Sequence, residues 1–409
     1  MKDRGEIIAG LDIGGKKISV IVGEIRKTEP LAVLGVWQQP SDGIRDGAIV
    51  NVDLAANSIR RAINKAETNT SYNIDYVQVG ISDNRMAGFD SLGIVVLGER
   101  PVEEDDIQTA FEIAKAVKLP NDRQVLLLIP QYHSVDGIRS TRQPLGMEGL
   151  RLEVFAHLIT CPSVTLYNTF QAMEKVGLKV NNFSAKHTAA ALAVSNTFEK
   201  EIGVIVIDIG ESGTGVVAYK DSSLLYSSVI PWGARDITAD IAKGFRVSEM
   251  EAVRIKERFG CAFLQMVNRE AQIEVWRIGS AEGHKESKRR LAMIIEARFE
   301  EILFFVAENL SRKVKASDFQ GGVILTGATA IMEGAVELAQ RVFGIPARIG
   351  SPQGLGGLAE LASTPQYATA AGLLMECSLE LENKRDKGML KAKTSVVGSK
   401  IKSLMADWF

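Results

Sequence analysis

Cysteine is scarce in this 409-residue chain. Cys161, Cys261 and Cys377 are odd in number, far apart and without a Cys-x-x-Cys pair, which excludes a disulfide framework and a cysteine-based zinc site. Four histidines, His133, His157, His187 and His284, stand apart with no His-x-x-x-His spacing, so no metal or catalytic centre is read from them. His157 alternates within a strand and is expected to be structural. A net charge of -2 gives no general pull toward nucleic acid, and no nucleic-acid partner is expected. No apolar run is long enough to span a bilayer. The charged start, with Lys2, Asp3, Arg4 and Glu6, runs into a strand without a secretory apolar segment. The expectation is a cytoplasmic location. An apolar share of 46% with 24% charged residues predicts folded domains, and the length allows several cores.

What is present is a repeated design. Ile7–Val20 reads as an apolar strand, an Asp12-Ile13-Gly14-Gly15 turn and a second strand. Val204–Val217 repeats it around Asp208-Ile209-Gly210-Glu211-Ser212-Gly213-Thr214-Gly215. Glycines in such turns can adopt φ > 0 and let backbone N–H groups approach a phosphate. Val323–Thr326 then leads into Gly327 as a third strand-to-turn. This order resembles the actin, sugar-kinase and Hsp70 ATPase superfamily, which implies an α/β, two-lobed duplicated fold with a nucleotide clamped between hairpins.

Between the repeats, a third strand is predicted at 31–37, turn chemistry at 40–47, a helix from about Val52 and a strand at 76–81. Character changes from Met86 to Ile159, where strands at 94–97, 125–130 and 152–159 flank a helix opened by the acids Glu103–Asp106. Here the resemblance narrows. Gly98-Glu99-Arg100-Pro101-Val102, Val154–Cys161, Phe259-Gly260-Cys261-Ala262, Ile295–Phe299 and Tyr367–Leu374 resemble the bacterial cell-division family FtsA. That resemblance implies subdomain 1A at 5–85, 162–196 and 364–380, an inserted SHS2-type module 1C at 86–161, 2A at 197–243 and 318–363, and 2B at 244–317. It also implies a non-enzymatic scaffold that tethers the tubulin homologue FtsZ to the inner face of the cytoplasmic membrane at the division septum. Self-association into filaments and contacts to other divisome proteins through 1C are implied too. The alternatives are a PilM-like pilus-assembly homologue and a sugar kinase or exopolyphosphatase.

The resemblance assigns candidate nucleotide contacts to Asp12, Gly14, Gly15, Lys17, Asp208, Gly210, Gly213, Thr214, Lys256 and Gly327, with ATP and Mg²⁺ as the cofactors. Asp12 and Asp208 would orient the ion through water if nucleotide binds, or else cap their turns through Asx hydrogen bonds, the reading preferred for Asp208. Departures from the family pattern stand beside these matches. Glu211 replaces a phosphate-facing Gly, Gly215 replaces the closing Asp, Val253 replaces a ribose-side Glu and Ala328 replaces a Gly. A carboxylate about 4 Å from a phosphate costs on the order of 4 kcal/mol at an effective dielectric of 20 unless a cation intervenes. Gly213 is able to shift the second hairpin by one residue and rescue donors. Hydrolysis is not expected.

Two further segments address partners. From Lys288 to Arg312, Leu291, Ile295, Phe299, Ile302, Val306 and Leu310 form a core stripe, fringed by Ile294, Arg298, Phe305 and Arg290. Such a fringe suits an amphipathic, carboxylate-bearing peptide, and the resemblance makes that peptide the FtsZ C-terminal tail. An intramolecular Arg298–Glu301 pair is the alternative. After a Lys-rich linker at 381–395, the segment 396–409 puts Val397, Ile401, Leu404, Met405 and Trp408 on one helical face, with Phe409 at the end and Lys400 and Lys402 nearby. Too short to span a bilayer, it is expected to lie in the lipid interface as a membrane anchor.

Overall fold

The computed structural model describes residues 5–26, 30–140, 144–280 and 282–386. The expected membrane segment 396–409, with Val397, Ile401, Leu404, Met405, Trp408 and Phe409, lies outside the described residues, as does most of the linker.

The chain begins with strands β1 (Glu6–Ile13), β2 (Lys17–Ile25) and β3 (Ala32–Pro40), a small hairpin β4 (Ile44–Arg45) and β5 (Ala48–Ile49), helix α1 (Val52–Thr70) and β6 (Tyr76–Ile81). An inserted module follows: β7 (Ala87–Pro101), α2 (Glu104–Lys115), β8 (Arg123–Val135), β9 (Ile138–Ser140) and β10 (Glu148–Pro162). The first lobe resumes with α3 (Ser163–Val176), β11 (Lys179–Ala185) and α4 (Lys186–Val194). The second lobe holds α5 (Thr197–Ile202), β12 (Val204–Ile209), β13 (Thr214–Lys220), β14 (Ser223–Ile230), α6 (Ala234–Phe245), α7 (Glu249–Phe259), β15 (Gln272–Val275), β16 (His284–Ser287) and α8 (Lys288–Ser311). It ends with β17 (Val323–Thr326), α9 (Ala335–Phe343) and β18 (Ala347–Ile349); β19 (Gly356–Gly357) rejoins the first sheet, and α10 (Ala368–Asp386) closes the chain's described part.

The duplication is visible in strand order. One sheet runs β11-β6-β1-β2-β3, and the other begins β18-β17-β12-β13-β14. Within each, an antiparallel hairpin lies beside a parallel strand, with Asp12 opposite Gly80 and Asp208 opposite Thr326. Strand β2 is buried along almost its whole length, because helices or neighbouring elements cover both faces; its sequence is accordingly a run of apolar residues rather than an alternation. One apolar cluster fills the first lobe and continues onto β12, β13, β14 and β17 through Val204, Val206, Val217, Val229 and Ile324, and a second lies within the second lobe.

Helices α4 and α10 lie against each other between the sheets. Their contact surface is alanine, with Ala189, Ala190, Ala191, Ala370 and Ala371 buried. Gly372 makes the closest approach: a Cβ there would lie 1.7 Å from the Ala189 carbonyl oxygen. Gly10 of β1 meets the same helix, its Cβ position being 2.5 Å from the Ala370 oxygen. Small residues thus set the distance between the packed elements.

The strands of the inserted module are longer than the sequence pattern predicts, because the alternation fades at their exposed ends while the hydrogen-bonded ladder continues. Its sheet, in order β7-β10-β8-β9, is joined edge to edge to β14 of the second lobe through Ser228 and Ala87. Polar groups tie this seam. His157 Nδ1 lies 2.7 Å from Asp90 and its Nε2 lies 2.8 Å from Ser227 Oγ, while Gln131 donates to the Leu224 carbonyl at 2.7 Å. The spacing imitates an acid–base–hydroxyl triad. Ser227 is only 2% exposed, so the array works as a structural bond, as the strand alternation around His157 predicts.

Helix α10 extends to Asp386, five residues past its expected end near Leu381. It carries Glu376, whose carboxyl is pushed up to about 7 by burial and by Glu380, against hydrogen bonding to Ser184 and Gln78. The folded state therefore keeps a proton that the unfolded chain releases near its ordinary value, and stability falls as pH rises through about 7. Replacing Glu376 with Gln should flatten that fall. Urea midpoints compared at about pH 5 and pH 8 would show it, and equal slopes in both proteins would contradict it.

Candidate nucleotide cleft

The two Asp-Ile-Gly hairpins face each other across a cleft of about 940 Å³, within the range of small-molecule sites. They are the same turn. Gly14 N–H donates to the Lys17 carbonyl at 3.0 Å, and Gly210 N–H donates to the Gly213 carbonyl at 3.0 Å. Asp12 is paired with Ser19 and Asp208 with Gly215, so the second hairpin is not shifted by a residue, contrary to what Gly213 allows. Nor does either turn use the left-handed region: Gly14, Gly15, Gly210 and Gly213 are absent from the residues with positive φ. The glycines are needed for closeness. A Cβ at Gly14 would lie 2.6 Å from the Lys17 oxygen, and one at Gly210 would lie 3.0 Å from the Gly213 oxygen. Gly327 alone among the candidates has positive φ, at 86°, and its Cβ position is 2.5 Å from Asp208 Oδ1.

Of the sequence candidates, Asp12, Gly14, Gly15, Lys17, Asp208, Gly210, Gly213, Lys256 and Gly327 line the cleft. Thr214 does not. It is fully buried and donates to the Trp232 carbonyl at 2.8 Å, because its place in the strand points it into the second lobe. Lys17 reaches Gln38 and Gln366, at 3.2 and 3.0 Å, and burial lowers its pKa. Lys256 is 7% exposed and donates to the Ala234 carbonyl and Thr238 Oγ1; burial lowers its pKa while Glu211 opposes the shift. Glu211 thus has a cation within electrostatic reach, which moderates the cost of its charge at the cleft.

Sequence reasoning missed four residues here. Lys186 and His187 begin α4 at the cleft, and Gln366 and Thr369 lead into α10. A strand end running directly into an alanine-rich helix is the signal that could have flagged the first two, since helix N-termini favour anions. His187 is 3% exposed, its Nε2 has no hydrogen-bond partner among the described residues, and burial lowers its pKa to about 4. Its Cβ lies 2.6 Å from where a Cβ on Gly215 would sit, so this histidine and the missing closing aspartate are linked: an Asp at 215 has no room. Asp208 is pushed up to about 6 by burial and the charge of Asp12, with Thr369 and Lys186 acting in the other direction. The Lys186 ammonium lies 2.7 Å from Asp12 Oδ1. A fixed cation on that carboxylate does not fit the Mg²⁺ expected beside Asp12 and Asp208.

Ion pairs cross the cleft. Lys16 of the first turn meets Glu257 of α7 at 3.1 Å, and Arg235 of α6 meets Asp46 at 2.8 Å. Asn84 donates to the Ser212 carbonyl at 3.2 Å.

Helix α8 shows a different arrangement from the one expected of its fringe. Arg298 is held by two carboxylates, donating from Nε to Asp240 of α6 and from Nη1 to Glu301, both at 2.6 Å. Ile294 packs on Gly244, Arg290 donates to the Gly244 carbonyl and lies over the Phe245 ring, and Phe305 meets Trp232 in a tilted ring contact at 4.2 Å between centroids. These residues pack α8 against α6 and the segment that leads into it. The solvent face of α8 carries Met293 and Phe304 instead, 57% and 59% exposed, eleven residues apart and therefore on one side.

Comparison with known proteins agrees with this architecture. The model of the family "Cell division protein FtsA" matches residues 205–372, and that of the "SHS2 domain inserted in FTSA" matches residues 84–160. The cell division protein FtsA of Pseudomonas aeruginosa is 35% identical over 371 residues, 91% of this chain and 89% of that protein. The chain belongs to the FtsA family. The Escherichia coli K12 FtsA is 32% identical, with 98% of this chain and 96% of that protein covered. Among solved structures, the PilM–PilN type IV pilus biogenesis complex gives a TM-score of 0.63 at 17% identity, covering 91% of this chain and 98% of that one. MreB5 of Spiroplasma citri bound to ADP gives 0.56 at 15% identity, with coverages of 93% and 98%. These last two likenesses establish the actin-like fold alone. This FtsA-family chain is a cell-division protein with an inserted SHS2 module.

Proposed function

We propose that this chain tethers FtsZ polymers to the cytoplasmic membrane, binding the FtsZ C-terminal peptide on subdomain 2B and the bilayer through residues 396–409, and that it acts as a scaffold rather than an enzyme. Similarity to FtsA proteins along nearly the whole chain carries the reading. On 2B, the exposed apolar pair Met293 and Phe304, on either side of the Arg298 turn, supplies what an amphipathic helix docks against. Arg298 then serves by exchanging Asp240 or Glu301 for a peptide carboxylate. Self-association, with many tails on one surface, would multiply a weak membrane contact, and the 1C module is available to other divisome proteins.

Phe304→Ala and Arg298→Gln are each expected to weaken binding of a labelled FtsZ tail peptide at least ten-fold in fluorescence anisotropy, with circular dichroism unchanged. Arg298→Glu is a poorer probe, because it sets a third carboxylate against Asp240 and Glu301. Affinity that stays at the wild-type value in both variants would remove α8 from the docking site.

For the cleft, the reading is a nucleotide site of low affinity without turnover. Glu211 at a phosphate turn and the His187–Gly215 contact support it. Isothermal titration with ATP should show binding weaker than micromolar, and phosphate release should stay at background. Steady turnover would reverse the scaffold assignment.

A further inference from the structure

We infer that Lys186 is a built-in replacement for the divalent cation of the cleft, so that this chain binds phosphate ligands there without metal. The inference rests on reading the cleft as a nucleotide site. Its ground is the position of one ammonium group. Lys186 Nζ lies 2.7 Å from Asp12 Oδ1 and donates to the Ile13 carbonyl at 2.5 Å, at the very turn that opens the first phosphate hairpin. Both side chains are largely enclosed, at 13% and 18% exposure.

The fold holds that group in place. Lys186 is the first residue of α4, and its stem crosses β6 at Gly80, the residue registered opposite Asp12. A Cβ on Gly80 would stand 3.0 Å from Lys186 Cγ and 3.5 Å from its Cε, so glycine at that position leaves the channel for the stem. Asp208, from the second hairpin, is within electrostatic reach of both Asp12 and Lys186. Two carboxylates from the two halves of the duplication therefore converge on one fixed positive charge.

Mg²⁺ keeps its shell of water oxygens and uses carboxylates to orient them. An ammonium 2.7 Å from one of those carboxylate oxygens repels the ion and occupies the space its waters need. The same ammonium has three donors and gives one to the Ile13 carbonyl, while its contact with Asp12 Oδ1 is an ion pair without hydrogen-bond geometry, which leaves donors for a phosphate oxygen. Charge neutralisation of the ligand thus comes from Lys186 together with Lys17 and Lys256, all on this chain.

The test uses the full-length protein and two probes. First, Mn²⁺ alone is titrated and its free fraction read by electron paramagnetic resonance. Wild type and Lys186→Arg should show no saturable site, while Lys186→Met, which frees the carboxylates, should gain one at least ten-fold tighter than any wild-type binding. Second, a fluorescent ATP analogue is titrated into wild type in Mg²⁺ and in EDTA, where the dissociation constants should agree within about two-fold. A wild-type Mn²⁺ site that Asp12→Asn removes, a folded Lys186→Met protein that gains no site, or a ten-fold loss of analogue affinity in EDTA would each overturn the inference. Should Lys186→Met fail to fold, the wild-type titrations decide. Should the analogue bind under neither condition while Lys186→Met gains its Mn²⁺ site, the nucleotide reading falls and the cation replacement stands.

Discussion

Deleting residues 396–409 is expected to abolish co-sedimentation with anionic vesicles while moving the melting temperature by no more than about 1–2 °C. The binding half of this expectation comes from the segment's sequence, an apolar face of Val397, Ile401, Leu404, Met405 and Trp408 beside Lys400 and Lys402. Burying such side chains in an interface provides several kcal/mol at most, since full burial of each is worth roughly 1.5–3. Each nearby lysine adds about 1 kcal/mol over anionic lipid. The stability half also comes from the sequence, since the polar, Lys-rich linker at 381–395 separates the segment from the folded body. Trp408→Glu should act almost as strongly, because it sets a charge on the inserted face. Raised salt should weaken wild-type binding without eliminating it, as it screens the lysines alone. A truncated protein that still pelleted with vesicles, or that melted several degrees lower, would assign the segment to the fold.

Gly372→Val should be the most damaging single substitution within the described body. Its Cβ would stand 1.7 Å from the Ala189 carbonyl oxygen, a backbone atom that no rotamer change can clear. Helices α4 and α10 would have to separate, opening the alanine contact between them or driving α10 onto Gly10 of β1, where no space is left. Overpacking of this kind costs typically 1–3 kcal/mol, and more where backbone must move. The loss should exceed about 3 kcal/mol in a urea melt and lower the soluble yield. By contrast Gly344→Ala, where no atom lies within 4 Å of the new Cβ, should cost about 1 kcal/mol from its left-handed φ of 68° alone. A Gly372→Val protein with a wild-type midpoint would show that the two helices are free to slide.

The duplicated hairpins were legible in the sequence because apolar strands, an acid and glycines recur in one order, and the structure reproduces them with a common register. The strand at 76–81 was equally clear. What the sequence hid was the reason for each glycine. Turn chemistry pointed to positive φ, whereas Gly14 and Gly210 serve close backbone approach, and Gly215 serves a contact with His187, 28 residues earlier in the chain. Lys186 was invisible for the same reason: its partner Asp12 lies 174 positions away, and only folding brings the two together. Arg298 shows the opposite difficulty. Its neighbour Glu301 was readable at helical spacing, but Asp240 comes from another helix, so the double pairing could not be inferred from α8 alone.

The inserted module leaves and re-enters the chain in the first lobe, between β6 and α3, yet its strands hydrogen-bond to β14 of the second. It is thus fastened to both sides of the cleft. Any swing of one lobe against the other must either bend the module's own sheet or tear the short seam held by His157, Asp90 and Ser227. A partner gripping the module is therefore a hand on the hinge, since force applied there reaches the cleft through continuous backbone rather than through side-chain packing.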